Sequence, residues 1–212
     1  MKLSEMRIEL KNEKQFKVLL VVIIFQYWLM YLYDILCYVP GWLLNNIVCA
    51  LICVLITLPS FFAYNKIGIY KEKIDFKNKK QYMWVLPCTL IFFVGCWLVM
   101  GIEISDGYML PRQYIWCIIY FFFIVAPTEE FIYRVYMLGE LSVLLGELKW
   151  MAPIISGMVF GLIHIVNMGY QNASMNIVIG IALGYMKLYC KNCTFLTCVL
   201  AHGLYDFLIT II

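Results

Sequence analysis

Charged residues are scarce in this chain, and their scarcity excludes an ordinary soluble domain. Of the 212 residues only 14% are charged, whereas 64% are hydrophobic. The net charge of +3 is small, so the distribution of the charges tells more than their sum. No nucleic-acid partner is expected. The composition instead predicts a protein whose surroundings are lipid.

Long apolar runs accompany the low content of charged residues. A helix needs about 20 apolar residues to cross about 30 Å of hydrocarbon. The runs are continuously apolar, unlike the alternating strands of a membrane barrel, so they predict an all-α polytopic membrane bundle with about seven transmembrane helices. The predicted spans are residues 17–38, 42–63, 83–102, 113–138, 151–168, 173–189 and 194–212.

Basic residues are clustered, and the clusters predict the topology. Five precede the first span and six lie between the second and third, whereas the 103–112 loop has Arg112 against Glu103 and Asp106. Because positive loops stay in the cytoplasm, the N-terminus and the 64–81 loop are predicted to be cytoplasmic. No small-residue cleavage pattern follows the first run, so it is predicted to be a retained helix. Residues 1–112 form an N-terminal region in this interpretation, and residues 113–212 carry the function.

Several motifs of known hydrolases and metal sites are missing. The chain has no H-E-x-x-H, and no serine or cysteine stands in an evident triad. Cys190 and Cys193 form one C-x-x-C, but a zinc ribbon needs a second pair. The pair is therefore interpreted as a coincidence among nine cysteines.

Two glutamates and an arginine near the end of an apolar run are the strongest functional signal. Ionisable side chains within a membrane are costly and mark function by default. Glu130 and Arg134 are four residues apart on a helix, which places them on one face as a pair. Glu129 points about 100° away, so it is the candidate general base. The alternative is a solvated charge cluster at a helix end.

The only two histidines also lie in apolar segments. His202 and Asp206 are four residues apart, so the carboxylate can orient the imidazole. His164 follows Gly157 and Gly161, a G-x-x-x-G pair that lets helices approach closely; Gly180 and Gly184 form a second such pair. Counted along their helices, His164, His202 and Glu129 come to similar depths, which predicts a single site.

These three motifs resemble the signature of the CPBP family, the CAAX-processing and bacteriocin-processing intramembrane proteases related to the CAAX prenyl endopeptidase. They are Glu129-Glu130-x-x-x-Arg134, Phe160-x-x-x-His164 and His202-x-x-x-Asp206. The resemblance implies an intramembrane endopeptidase that acts on membrane-associated peptides or proteins.

The resemblance also implies residue roles. Glu129 and His164 would activate water, His202 and Asp206 would form the oxyanion site, and Glu130 and Arg134 would support them. The prenyl endopeptidase branch has asparagine where this chain has Asp206.

Some alternatives remain at this point. No cofactor is expected, because a glutamate mechanism needs no metal; if zinc is present, its ligands would be Glu129, His164 and His202. A non-catalytic immunity or scaffold protein could share the fold. A proton-coupled transporter could also use intramembrane glutamate and histidine, although transporters carry polar features in both halves.

Overall fold

The computed structural model describes residues 3–36, 42–100 and 111–211. Within these ranges the chain is built from seven helices, with no strand. They are α1 (Leu3–Leu36), α2 (Trp42–Lys66), α3 (Val85–Met100), α4 (residues 111–144), α5 (Ala152–Ile163), α6 (Ile165–Tyr189) and α7 (Phe195–Ile211). Short 3-10 helices at Lys79–Trp84 and Gly146–Met151 precede α3 and α5. The acidic residues of the 103–112 loop, used in the topology prediction, lie outside the described residues.

The helices fit a membrane, which confirms the predicted all-α polytopic bundle. Five segments of the described chain are long and apolar enough to cross a bilayer: Asn12–Tyr31, Leu44–Lys66, Lys79–Leu98, Gln113–Leu144 and Gly146–Ile163. α7 is equally apolar but shorter, and α6 carries polar residues near its start. Large apolar side chains such as Trp97 and Phe123 are more than half exposed on the outside of the bundle, as expected where lipid replaces water.

α5 and α6 form a close antiparallel pair, and both G-x-x-x-G motifs lie in their interface. A Cβ atom on Gly157 would lie 2.4 Å from the backbone nitrogen of Ile181, and one on Gly161 would lie 2.5 Å from the carbonyl oxygen of Ala173. Only glycine permits backbones this close. The close approach predicted from the motifs is therefore confirmed.

The predicted span at 151–168 ends earlier than expected. α5 stops at Ile163, and His164 occupies the break before α6 begins at Ile165. α6 is itself broken at Gly169, whose φ of 76° is in the left-handed region that favours glycine. The break explains the difference, because the residues stay apolar through it and the hydropathy pattern therefore gives no sign of where the helix ends.

α4 lies centrally and positions the site. It contacts α2 on one side and α7 on the other, while α3 packs against α6 and α7.

The basic N-terminal arm is helical from Leu3 and continues into the first span. The polar segment between α2 and α3 is not an isolated loop, since Gln81 is buried and Glu72 is paired with Lys187 of α6.

Candidate active site

The two glutamates occupy a single α-helical turn between two π-helical segments of α4. The turn is Ala126–Glu130, and the π-helical segments are Phe121–Val125 and Phe131–Met137. A proline inside a helix crowds the carbonyl four residues earlier, and for Pro127 that carbonyl belongs to the first π-helical segment. Such π-helical turns are frequent at functional sites. They rotate the two glutamates relative to the rest of α4.

Glu130 is fully buried and has two partners. Its Oε2 atom lies 3.2 Å from Nε of Arg134, as the four-residue spacing predicts. Its Oε1 atom lies 2.9 Å from Nδ1 of His202 on α7. Arg134 is also buried, and its guanidinium lies over the ring of Phe160 at 4.5 Å from the centroid. Glu130 thus joins α4 to α7 as well as pairing within α4.

Glu129 lies between the two histidines. Its Oε1 atom is 3.9 Å from Nε2 of His164, and its Oε2 atom is 3.9 Å from Nε2 of His202. Both distances exceed a direct hydrogen bond. The Glu129 side chain is 24% exposed, whereas both histidine side chains are below 10%. Of the two adjacent carboxylates, Glu129 is the one that faces open space.

The hydrogen bond of His164 fixes its tautomer. Its Nδ1 atom lies 2.6 Å from the carbonyl oxygen of Phe160. A carbonyl oxygen only accepts, so Nδ1 donates and the neutral ring leaves Nε2 as an acceptor toward Glu129. Phe160 also packs edge-on against the His164 ring at 4.8 Å. The Phe160-x-x-x-His164 motif therefore orients the imidazole through both backbone and ring.

Carboxylates face both nitrogens of His202. Besides the Glu130 contact at Nδ1, its Nε2 lies 3.3 Å from Oδ2 of Asp206. The ring also stacks on Phe92 of α3, with centroids 5.0 Å apart. Sequence analysis missed Phe92, because an aromatic residue in an apolar helix carries no signal of its own. All six predicted site residues thus lie together, and their assigned roles stay predictions.

The spacing of the site side chains bears on whether they could hold a metal ion. Zinc needs ligand atoms about 2.0–2.2 Å from one point. Among the described side chains, no group of three or more His, Cys, Asp or Glu converges in this way. Cys193 lies 4.0 Å from Cys88, and the described cysteines are all free. The arrangement does not fit zinc, so no chemical step is derived through a metal.

The comparison with protein families matches this part of the chain. Residues 111–208 match the family model described as Type II CAAX prenyl endopeptidase Rce1-like. The match includes all three motifs and helices α4 to α7. Neither curated proteins nor solved structures give a match. The resemblance predicted from the three motifs is therefore confirmed over residues 111–208, a little under half of the chain.

Proposed function

We propose that this protein is an intramembrane endopeptidase that hydrolyses a peptide bond of a membrane-associated peptide or protein with water activated by Glu129 and His164. The observation that carries the proposal is the position of Glu129, which lies 3.9 Å from Nε2 of both His164 and His202. A single carboxylate facing two imidazoles in an apolar bundle is suited to moving protons. The family match supports peptide hydrolysis as the reaction class.

The acceptors at the site can orient a water molecule. Glu129 and the Nε2 atom of His164 both accept hydrogen bonds, given the tautomer fixed by Phe160. A water molecule that donates one hydrogen to each would direct a lone pair away from them, toward the substrate carbonyl. Glu129 takes a proton as the water oxygen bonds to the carbonyl carbon, which is general base catalysis.

His202 is placed to stabilise the oxyanion that forms. Glu130 faces its Nδ1 and Asp206 faces its Nε2, so both ring nitrogens can hold hydrogens. The single Nε2–H group faces Asp206 in the free protein, and it would donate to the negative oxygen of the tetrahedral intermediate when that oxygen forms. An ionised Asp206 cannot donate, so its role is to orient His202. The carbon–nitrogen bond breaks when Glu129 returns its proton to the leaving amine.

Glu129→Gln tests the assignment of the base. The amide keeps the shape of the side chain but cannot take a proton, so hydrolysis should fall by about 10²–10⁴-fold. Purified protein in liposomes would be measured with fluorogenic peptides, one with a prenylated C-terminus and one unmodified. Membrane peptides from cells with the wild type and with Glu129→Gln would be compared by proteomics. The control is Glu13→Gln, which alters an exposed ion pair on α1.

Wild-type hydrolysis by Glu129→Gln would remove Glu129 from the chemistry. The absence of hydrolysis in the wild type, together with proton-driven solute uptake, would favour the transporter alternative. The absence of both would favour a non-catalytic scaffold.

Chelation separates the metal-free mechanism from a zinc enzyme. We expect the protein to keep its turnover after exhaustive chelation, because Glu129 and His164 can activate water without a metal. The metal content of the purified protein would be measured by mass spectrometry, and the expected value is far below one per chain. About one zinc per chain, lost together with activity on chelation, would reverse the assignment.

A further inference from the structure

The polar segment between α2 and α3, residues 67–84, is here termed the strap. It runs across one end of the bundle and contains several buried or half-buried polar side chains that the proposed chemistry does not use. Buried charges are costly unless they are paired and hydrogen-bonded. Their partners therefore indicate what the strap holds in place.

One end of the strap is fixed to α4 by Glu140. This carboxylate is fully buried and accepts hydrogen bonds from the backbone nitrogens of Ile69 (3.2 Å) and Tyr70 (3.1 Å). It also accepts one from Nε2 of Gln15 on α1 at 2.7 Å. The ring of Tyr70 lies against the backbone of Gly139, where a Cβ atom would come within 2.2 Å of it. Glu140 lies ten residues after Glu130 on the same helix.

A second carboxylate, Glu72, fixes the strap to α6 and α7. Its oxygens lie 2.8 and 2.9 Å from Nζ of Lys187, and both side chains are below 10% exposed. The backbone nitrogen of Phe195, the first residue of α7, donates to Glu72 at 3.3 Å. Tyr70 donates its hydroxyl to Glu72. Burial raises the pKa of this hydroxyl to about 12, so it keeps its proton at physiological pH.

Gln81 adds further links from the strap to the start of α7. Its Oε1 atom accepts from the hydroxyl of Thr194 at 2.5 Å, and its carbonyl oxygen accepts from the hydroxyl of Thr197 at 3.0 Å. Trp84 donates from its indole to the carbonyl oxygen of Lys191 at 3.0 Å. The turn between α6 and α7 is therefore bound to the strap at several points.

The two helices that the strap connects are the two helices that meet in the site. α4 carries Glu129 and Glu130, α7 carries His202, and one of the contacts between the two helices is the 2.9 Å hydrogen bond that Glu130 accepts from Nδ1 of His202. Phe195 lies seven residues before His202, two helical turns away on the same face. A shift of Phe195 along the axis of α7 would move His202 with it.

We propose that Glu72 and Glu140 are positioning residues that act through the strap to hold α7 against α4, and thereby set the position of His202 relative to Glu129. The proposal rests on the proposed function for its effect on catalysis. Its structural part, the fixed spacing of α4 and α7, does not depend on that function. Neither carboxylate touches the reacting atoms.

Glu72→Gln and Glu140→Gln are the primary variants, because each keeps the shape of the side chain and removes its charge. A misplacement of about 1 Å in a catalytic group can cost about 100-fold in rate. We expect kcat to fall by about 10- to 100-fold, with KM changed by less than about threefold, since neither side chain contacts the six site residues. Lys73→Gln, which changes an exposed charge on the strap itself, is the matched control and should leave both constants unchanged.

A distance measurement tests the same proposal without any activity. Spin-labelled non-natural residues would replace Phe123 of α4 and Thr210 of α7, both of which are exposed. Pulsed electron resonance should give a narrow distance distribution for the reference protein and for Lys73→Gln. Glu72→Gln and Glu140→Gln should broaden or shift it. If either variant fails to fold, Tyr70→Phe, which removes only the hydroxyl, should give a smaller change of the same kind.

Two results would overturn the proposal. One is an unchanged distance distribution in folded Glu72→Gln and Glu140→Gln. The other is an activity loss that only follows the amount of folded protein, with kcat per folded molecule unchanged. If the wild type hydrolyses no peptide, the proposed function fails, and the distance measurement still decides whether the strap positions α7.

Discussion

Glu129 and Glu130 are adjacent in the sequence but differ in what their oxygens contact. Glu130 is buried between Arg134 and His202, at 3.2 and 2.9 Å. Glu129 is partly exposed, and its distances to the two histidines are both longer than a hydrogen bond. One carboxylate is therefore held by its neighbours, and the other is left available to a water molecule. This difference in pairing is the reason that the proposed function gives the two glutamates different tasks.

The buried pair of Glu130 and Arg134 gives a prediction about stability. Removal of either partner leaves the other as an uncompensated buried charge, which costs about 3–5 kcal/mol. We therefore expect Glu130→Ala and Arg134→Ala each to reduce the amount of folded protein and its thermal midpoint in detergent. Glu129→Ala is the control, and it should remain folded while losing activity. Normal amounts of stable but inactive Arg134→Ala protein would instead place Arg134 in the chemistry.

Sequence spacing predicts contacts within a helix better than contacts between helices. The ion pair between Glu130 and Arg134 follows from a four-residue separation. The bond between Glu130 and His202 spans 72 residues of sequence, and no local rule sets the rotation of α7 against α4. The burial of Glu140 was also unpredicted, because its donors come from the strap and from α1.

At the scale of the helices, the glycines of α5 determine the position of His164. Gly157 and Gly161 place α5 directly against α6, and α5 ends one residue before His164. The position of this histidine therefore depends on how closely α5 packs against α6. The hydropathy pattern located the two helices, but it did not locate the break at Ile163, because the apolar residues continue on both sides of it.

Gly157→Ala tests the packing of α5 on α6. The added methyl group would meet the backbone of Ile181 at 2.4 Å, where no side chain can move aside. Overpacking of this kind costs about 1–3 kcal/mol, so the thermal midpoint should fall, and activity should fall with the displacement of His164. Met158→Ala, at an exposed position one residue along, is the control. An unchanged midpoint and activity in Gly157→Ala would mean that the two helices are not held this closely.

The strap contains buried side chains that the sequence does not predict. Its lysines and polar residues predict a solvated cytoplasmic loop, and the lysines at 71, 73, 77, 79 and 80 are indeed exposed. Glu72 and Gln81 nevertheless point inward. A charged residue within a charged loop gives no sign of burial, because the partner that compensates it, Lys187, is remote in the sequence.

At the scale of the whole molecule, the buried acidic, basic and histidine side chains in the described part of the chain lie at two levels of the bundle. One level is the site, formed by α4, α5 and α7. The other is the strap with Glu140, Lys187 and the turn before α7, about 16 Å from Glu129 along α4 at 1.5 Å per residue. The predicted topology assigns the second level to the cytoplasmic side. The site would then lie within the membrane.

The orientation of the protein can be tested at two exposed positions. Lys73 lies on the strap, and Tyr170 lies just after the break at Gly169 inside α6; the Tyr170 side chain is 80% exposed. Positive loops remain in the cytoplasm, so a maleimide that cannot cross the membrane should label Lys73→Cys only from the cytoplasmic side. Three helices, α3, α4 and α5, lie between the two positions in the chain, and an odd number of crossings means that Tyr170→Cys should be labelled only from the opposite side. Both variants would be made with the native cysteines replaced, and the replaced protein without added cysteine is the control for background. Labelling of Lys73→Cys from the outside would invert the topology and place the strap outside the cell.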